Sequence, residues 1–147
     1  MCDYYWGNEY EEIMNEEEKA ALRKKGIENF DDALPDDGDT SGTFRNSARA
    51  MLFSGQYSAA ALAMRDAPGA KCSNPECGAT TDLTLDHKTS VSKYFNQTGY
   101  LKTREERNRW YTNTGNLQVL CRSCNSSKSG ERFNPQKVAQ CILAGRN

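Results

Sequence analysis

The chain has 147 residues, of which 37% are hydrophobic and 27% charged, and its formal net charge is −1. This length suits one domain, or one small domain with an appendage, and no stretch is long and apolar enough to span a bilayer. The first residues have neither a basic start nor an apolar run, so we expect no secretory signal and a cytoplasmic location.

The charges are distributed unevenly along the chain. Residues 1–40 contain 13 acidic and 4 basic side chains, whereas residues 41–147 contain 15 basic and 7 acidic ones, so the net charges are −9 and +8. A basic body favours a polyanionic partner, although an ordinary solvated surface has the same composition. We predict an acidic helical extension with a linker over residues 1–42 and a basic domain over residues 43–147.

Helix caps and apolar spacing predict the elements. Asn15 and Gly26 bound a short helix with acidic residues in its first turn and basic residues in its last. Residues 31–42 are typical of a linker, and their acidic side chains lack the EF-hand spacing of a calcium site. The remaining predictions are a helix over 43–66 interrupted at Ser54–Gly55, strands at 83–85 and 116–120, a basic helix capped by Thr103 and Glu106, and a helix over 135–143.

Four of the six cysteines form two close pairs, Cys72 with Cys77 and Cys121 with Cys124. Such pairs are typical of a zinc site, and a cytosolic setting disfavours disulfides. Cys2 and Cys141 stand alone, and Cys141 has the helical spacing of a buried apolar residue. We therefore predict four zinc ligands and two unpaired thiols.

Polar residues suited to catalysis lie between and after the two pairs. They are Asp86, His87, Asn116 and Asn125. Four Zn–S bonds of about 2.3 Å would hold the ends of this segment together and bring these side chains close in space. An imidazole accepts a proton near neutral pH, and carboxylate and amide oxygens bind hard cations. The segment therefore has the residues of an active site.

This ordered set resembles an HNH endonuclease. The similarity covers about residues 66–135, and its most specific part is Gly115–Lys128, GNLQVLCRSCNSSK. Many zinc modules share paired cysteines, but the Asp–His step and the asparagine before the second pair are typical of the HNH family and not of zinc modules in general. The resemblance implies an α+β fold in which a small ββα-metal core is stapled by a four-cysteine zinc and flanked by the helical N-terminal extension and a C-terminal helix.

The resemblance also implies a role for each site residue. His87 is the general base that takes a proton from the attacking water, and Asp86 and Asn125 bind the catalytic cation. Asn116 holds the loop that aims His87. The four cysteines bind a separate structural zinc.

One departure from the family bears on the catalytic cation. His87 is the only histidine in the chain, whereas many HNH enzymes have a histidine at the position of Asn125 and some have one at Asp86. Both expected ligands are hard oxygen donors, which favours Mg²⁺ or Mn²⁺ over Zn²⁺.

Basic side chains near the motif are predicted to contact the nucleic-acid backbone. They are Lys128, Arg122, Lys88, Arg107 and Arg109. Alternatives stay open at three places. The basic helix is equally consistent with a surface helix anchored by Trp110, Asn125 with a helix N-cap, and Lys128 with a plain surface lysine.

The predicted function is phosphodiester hydrolysis, in DNA above all and with RNA as the alternative substrate. The rival prediction is a zinc-stapled nucleic-acid-binding module without catalysis. Two settings fit an endonuclease: a phage or restriction-type enzyme, or an antibacterial toxin delivered into a target-cell cytoplasm and blocked by an acidic immunity protein. The acidic residues 1–40 are a candidate screen for the basic cleft, and no membrane partner is expected.

Overall fold

The computed structural model describes residues 14–27, 42–128 and 132–147. Most of the predicted linker and of the acidic extension, together with Cys2, lie outside these residues. In chain order the elements are α1 (Glu16–Lys24), α2 (Gly42–Leu52), α3 (Ala59–Asp66), β1 (Leu83–His87), α4 (Val91–Gln97), α5 (Arg104–Tyr111), β2 (Leu117–Cys121), α6 (Arg122–Ser127) and α7 (Pro135–Leu143). The predicted α+β class is confirmed, and none of these helices has the length and apolar character to cross a membrane.

The predicted helix starts are confirmed by their caps. Asn15 forms a capping box with Glu18 at α1, and Thr103 forms one with Glu106 at α5. The predicted interruption at Ser54–Gly55 separates α2 from α3. Gly55 has a φ of 74°, which an L side chain rarely adopts, so the chain turns there instead of continuing the helix.

The main core is aromatic and lies between the helices. Its largest fully buried apolar side chains include Leu22, Phe44, Phe53, Phe95 and Phe133. Helix α1 belongs to this core because Leu22 is buried in it and because Gln136 and Gln140 of α7 donate to the buried Glu18 carboxylate (3.3 and 3.5 Å). The described part of the acidic extension is therefore packed against the C-terminal helix.

The two strands pair antiparallel and carry the site. Asp86 lies opposite Gln118, and His87 lies opposite Leu117. Pairing continues two residues past the predicted end of the first strand, so Asp86 and His87 belong to β1. Because successive strand residues project to opposite faces, Asp86 and His87 leave the sheet on different sides.

Each face of the sheet is covered by a different helix. Leu85, Leu117 and Val119 pack with Ala61 of α3 on one face. Helix α6 follows β2 directly and contacts the other face, where Asn125 reaches Thr84. The order β1, β2, α6 is thus a ββα unit whose polar face lies beneath α6.

Candidate active site and metal centre

The four paired cysteines meet at one point. Their Sγ atoms all lie within 4.8 Å of one another, and the Cys77 and Cys121 sulfurs are 3.8 Å apart. A regular tetrahedron of sulfurs at about 2.3 Å from zinc has edges of about 3.8 Å. This cluster could therefore hold a metal ion such as zinc.

Local hydrogen bonds build the cluster from both ends. The loop carrying the first pair is tied to β2 by the Ser73 N–H, which donates to the Val119 carbonyl (2.8 Å). Cys121 ends β2 and caps α6, since its sulfur accepts from the Cys124 N–H (3.4 Å). Asn74 donates to the Cys124 sulfur (3.4 Å), a contact that the sequence analysis missed. Backbone hydrogen bonding by Cys121 is the main cause that lowers the pKa of the Cys72 thiol to about 7. The pKa of the Cys124 thiol is raised instead: Asn74 lowers it, but hydrogen bonding with the Cys121 and Cys72 side chains raises it by more.

Asp86 lies on the polar face of the sheet and is only 8% exposed. Its Oδ2 accepts from Gln118 Nε2 (2.8 Å) and pairs with Lys128 Nζ (2.6 Å). Lys128 was predicted to contact phosphate; in the structure it follows α6 and its ammonium is on the carboxylate. Gln118 was not predicted as a site residue, although its place opposite Asp86 follows once the strand register is known.

Asn125 lies inside α6 and faces the same side of the sheet. Its Nδ2 donates to Thr84 Oγ1 (2.9 Å) and, more weakly, to the Leu85 carbonyl (3.5 Å). The capping alternative for Asn125 is wrong, because Cys121 occupies the N-cap of α6. Asp86 and Asn125 are thus brought to one face by β1 and α6.

Two side-chain oxygens on this face have no donor, although the Asp86 carboxylate they include is paired with Lys128. Asp86 Oδ1 and Asn125 Oδ1 each accept no hydrogen bond from any described residue. Two such oxygens, one from a carboxylate and one from an amide, match the ligands that Mg²⁺ and Mn²⁺ take.

The His87 ring lies on the other side of the strand end, in an aromatic surround. It stacks on Trp110 (centroids 5.3 Å apart, planes at 11°) and contacts Tyr57 and Tyr111. Tyr94 stacks on the far face of Trp110 at 3.9 Å. His87 is 6% exposed, so its orientation is set by packing.

One hydrogen bond assigns the His87 tautomer. His87 Nε2 lies 2.8 Å from the Tyr111 carbonyl oxygen, which can only accept, so Nε2 carries the proton. Burial lowers the pKa of His87, which favours the neutral ring. In that ring Nδ1 holds a lone pair, and no described residue donates to it. In this tautomer Nδ1 is therefore the ring nitrogen without a proton.

Asn116 binds the backbone immediately after His87. Its Oδ1 accepts from the Thr89 N–H (2.9 Å), its Nδ2 donates to the Thr89 carbonyl (3.2 Å), and its carbonyl accepts from the Lys88 N–H (2.7 Å). These contacts hold the chain where it leaves β1, which is what an aiming role for Asn116 requires. The orienting contact on the ring itself comes from the Tyr111 carbonyl, which the sequence analysis did not identify.

Arg107 is a correction to the predicted nucleic-acid contacts. Its side chain is fully buried between Phe53 and Phe95 and donates to the carbonyls of Leu52 (2.9 Å), Lys102 (2.7 Å) and Arg146 (2.8 Å). A guanidinium with these partners cannot reach a phosphate. The alternative that α5 is anchored by packing is favoured, with Arg107 as the main anchor.

Replacing Arg107 with Met should destabilise the fold by about 3 kcal/mol, because the buried Leu52 carbonyl and the part-buried carbonyls of Lys102 and Arg146 lose a charged donor. Urea unfolding followed by tryptophan fluorescence measures this change. Arg109→Met is the matched control two residues along α5, where the side chain is 65% exposed and pairs with Glu105, so its cost should stay within about 0.5 kcal/mol. Equal stability of the two variants would contradict the anchoring role.

The other predicted basic contacts are at the surface. Lys88 and Arg109 are exposed, and Arg122 is exposed and pairs with Asp82 (3.1 Å). Lys88 is therefore available to a polyanion, whereas Arg109 and Arg122 would have to exchange their acidic partners for it.

Comparisons with known proteins complete the description of the site. A scan against protein-family models, a search of curated proteins and a search of solved structures each return no match to this chain.

Proposed function

We propose that this chain is a metal-dependent HNH endonuclease that hydrolyses phosphodiester bonds, principally in DNA. The observation that carries the proposal is the state of His87. A neutral imidazole with its proton held on Nε2 ends the strand whose preceding residue, Asp86, lies on the same face of the sheet as Asn125. Water attack on a phosphodiester uses a proton acceptor together with a cation held by hard oxygen donors, and these groups lie on the two sides of the end of β1.

The residues divide the chemistry between them. His87 Nδ1 accepts the proton of the attacking water, while the Tyr111 carbonyl keeps the ring oriented and stabilises the imidazolium that forms. Asp86 and Asn125 would hold Mg²⁺ or Mn²⁺, and such a cation would supply charge neutralisation at the phosphate. Asn116 restrains the backbone after His87, and we infer that the cysteines hold a structural zinc.

His87 lies on one side of the sheet, and Asp86 and Asn125 lie on the other. This arrangement is compatible with separate roles for the base and the cation ligands. His87 is the last residue of β1, so a phosphate at the strand end can be approached from both sides of the sheet. Asp86 and Lys128 are near enough to His87 for their charges to act on its ring. A substrate phosphate is thus expected to span the end of β1.

A metal panel tests the proposed activity. Zinc-loaded protein is incubated with plasmid DNA, and separately with RNA, in the presence of Mg²⁺, Mn²⁺ or added Zn²⁺. Nicked or linear DNA with Mg²⁺ or Mn²⁺ supports an endonuclease. Equal cleavage with Zn²⁺ alone would refute the hard-cation assignment, and a gel shift without any cleavage would refute the activity.

The second candidate is a nucleic-acid-binding module without catalysis, and the Lys128–Asp86 pair favours it. An ammonium 2.6 Å from Asp86 Oδ2 supplies the positive charge that a cation would otherwise supply. If this pair persists in the presence of Mg²⁺ or Mn²⁺, the face would bind a backbone but lack its cation.

Lys128→Met should therefore tighten Mn²⁺ binding about fivefold, because the Asp86 carboxylate loses a competing partner worth about 1 kcal/mol. Electron paramagnetic resonance of free Mn²⁺ measures the dissociation constant without nucleic acid. Lys93→Met, which removes an exposed lysine from α4, controls for net charge, and Asp86→Asn should abolish the site. An unchanged or weaker Mn²⁺ affinity in Lys128→Met would mean that the lysine does not compete.

The two cellular settings remain part of the proposal. As a phage or restriction-type enzyme the chain would act in its own cytoplasm. As an antibacterial toxin it would act in a target-cell cytoplasm and require an acidic immunity protein. Slow growth on expression, relieved by a neighbouring gene product, distinguishes the second setting from the first.

A further inference from the structure

An arginine outside the HNH-like segment lies next to the His87 surround. Arg49 is exposed on α2, and its Nη2 donates to the Tyr111 hydroxyl (3.0 Å). The Tyr111 ring is 4.5 Å from the His87 ring between centroids, so one side chain separates the guanidinium from the proposed base. Arg49 is also near enough to His87 and Tyr57 for its charge to act on both.

Arg49 has a fixed orientation and unused donors. Among the described residues its guanidinium has no carboxylate partner, and it forms its hydrogen bond and its cation–π contact with the Tyr111 side chain. This contrasts with the surface arginines at 65, 109 and 122, each of which pairs with an acidic side chain. Tyr111 is buried, so its hydroxyl is a fixed acceptor for Arg49 Nη2, and no described residue accepts from the other guanidinium N–H groups of this exposed side chain.

An open cleft lies beside this guanidinium. It has a volume of about 340 Å³ and is lined by Asn46, Arg49, Ala50, Phe53, Ser54 and Gly55. The exposed Asn46 is three residues before Arg49 on α2, so both side chains lie along the same side of the helix. The wall of the cleft is mostly apolar, and its polar side chains are Asn46, Arg49 and Ser54. A guanidinium held by Tyr111, with no acidic partner among the described residues, suits a tetrahedral oxyanion, which arginine binds with two parallel N–H bonds.

We propose that this cleft seats a backbone phosphate next to the one that is cleaved, and that Arg49 is its principal ligand. This inference rests on the proposed function, because it places the nucleic acid across the His87 end of the site. The phosphate on Arg49 positions the strand so that its neighbour reaches the end of β1. Arg49 thereby adds a nucleic-acid contact from α2, on the aromatic side of the sheet.

The test is a binding assay that does not depend on cleavage. Zinc-loaded wild-type protein and its variants are titrated onto fluorescent duplex DNA, single-stranded DNA and RNA without Mg²⁺ or Mn²⁺, at several salt concentrations. Arg49→Met should weaken binding about tenfold and reduce the slope of log affinity against log salt by about one phosphate contact. Arg65→Met is the matched control, because it removes an equal charge that is already paired with Asp66.

A second variant separates charge from geometry and guards against misfolding. Arg49→Lys should retain the salt slope but lose part of the affinity, because an ammonium lacks the planar fork. Thermal unfolding of each variant should match the wild type within a few degrees; if Arg49→Met fails to fold, the affinity loss of Arg49→Lys decides.

The outcomes distinguish this inference from the proposed function. If the wild type binds but never cleaves with any metal while Arg49→Met binds weakly, the endonuclease proposal falls, and Arg49 stands as a backbone-phosphate ligand but not as a neighbour of a cleaved phosphate. If the wild type cleaves but Arg49→Met binds with unchanged affinity and slope, the phosphate seat falls. An equal loss in Arg65→Met, or a loss confined to binding of an acidic protein, would also overturn it.

Discussion

His87→Gln should lower the rate of DNA cleavage by about 10²- to 10⁴-fold, the usual contribution of a general base. Glutamine can keep an N–H on the Tyr111 carbonyl, but it has no nitrogen lone pair to accept a proton. It is a sharper test than alanine, because His87 is buried among Tyr57, Trp110 and Tyr111 and truncation would leave a cavity. Single-turnover cleavage measures the loss.

The controls for this variant are fold and zinc content. Circular dichroism and bound zinc should match the wild type, so that lost activity reports on the base. The pH dependence is a second readout. Since burial lowers the pKa of His87, the wild-type cleavage rate should decline on the acid side with an apparent pKa below the ordinary histidine value of about 6.5.

The lowered pKa of His87 also makes the free energy of unfolding depend on pH. The folded pKa lies below the unfolded one, so stability is full above about pH 6.5 and declines as pH falls from there towards the folded pKa. His87→Gln should lose this part of the dependence. Retained full activity in His87→Gln would end the proposed mechanism.

Cys121→Ser should unfold the ββα unit, because the binding free energy of a structural zinc, about 10 kcal/mol or more, contributes directly to folding. Cys121 ends β2, caps α6 and lies 3.8 Å from the Cys77 sulfur, so its loss affects both strands and the helix together. Metal analysis and circular dichroism should report less than one zinc per chain and reduced structure. A strong zinc chelator should produce the same state from the wild type.

Cys141→Ser is the matched control for that experiment. Cys141 is a buried thiol in α7 whose sulfur accepts from Arg107 (3.5 Å). It is not one of the four cysteines of the cluster. Its replacement should leave the zinc content unchanged and cost about 1 kcal/mol of stability. A folded, metal-free Cys121→Ser protein would contradict the structural role assigned to the zinc.

The starts of α1, α5 and α7 were predictable because their signals are local, whereas α4 and α6 were not predicted. Asn15 with Glu18, Thr103 with Glu106, and Pro135 act within one turn of their own helix, so their effect does not depend on the rest of the chain. The cysteine cluster was predictable for a related reason, since each pair is set by short spacing. Only the meeting of the two pairs required the fold.

The residues that surround the site were not predictable in the same way. Tyr111 meets His87 through a backbone carbonyl, which any residue possesses, so its identity carried no signal. Gln118 meets Asp86 through strand register, and Lys128 meets it through the end of α6. Each contact joins segments more than 20 residues apart.

Arg107 and Arg49 give the clearest contrast between the two levels. The sequence determined that both side chains are basic and that Arg107 follows a capped helix start. It also determined the spacing of the two cysteine pairs and the Asp–His step. Tertiary structure alone decided that Arg107 is buried against the carbonyls of Leu52 and Arg146, while Arg49 stays exposed beside Tyr111. The physical reason is that residue type sets what a side chain can bind, whereas burial depends on which distant segments pack around it.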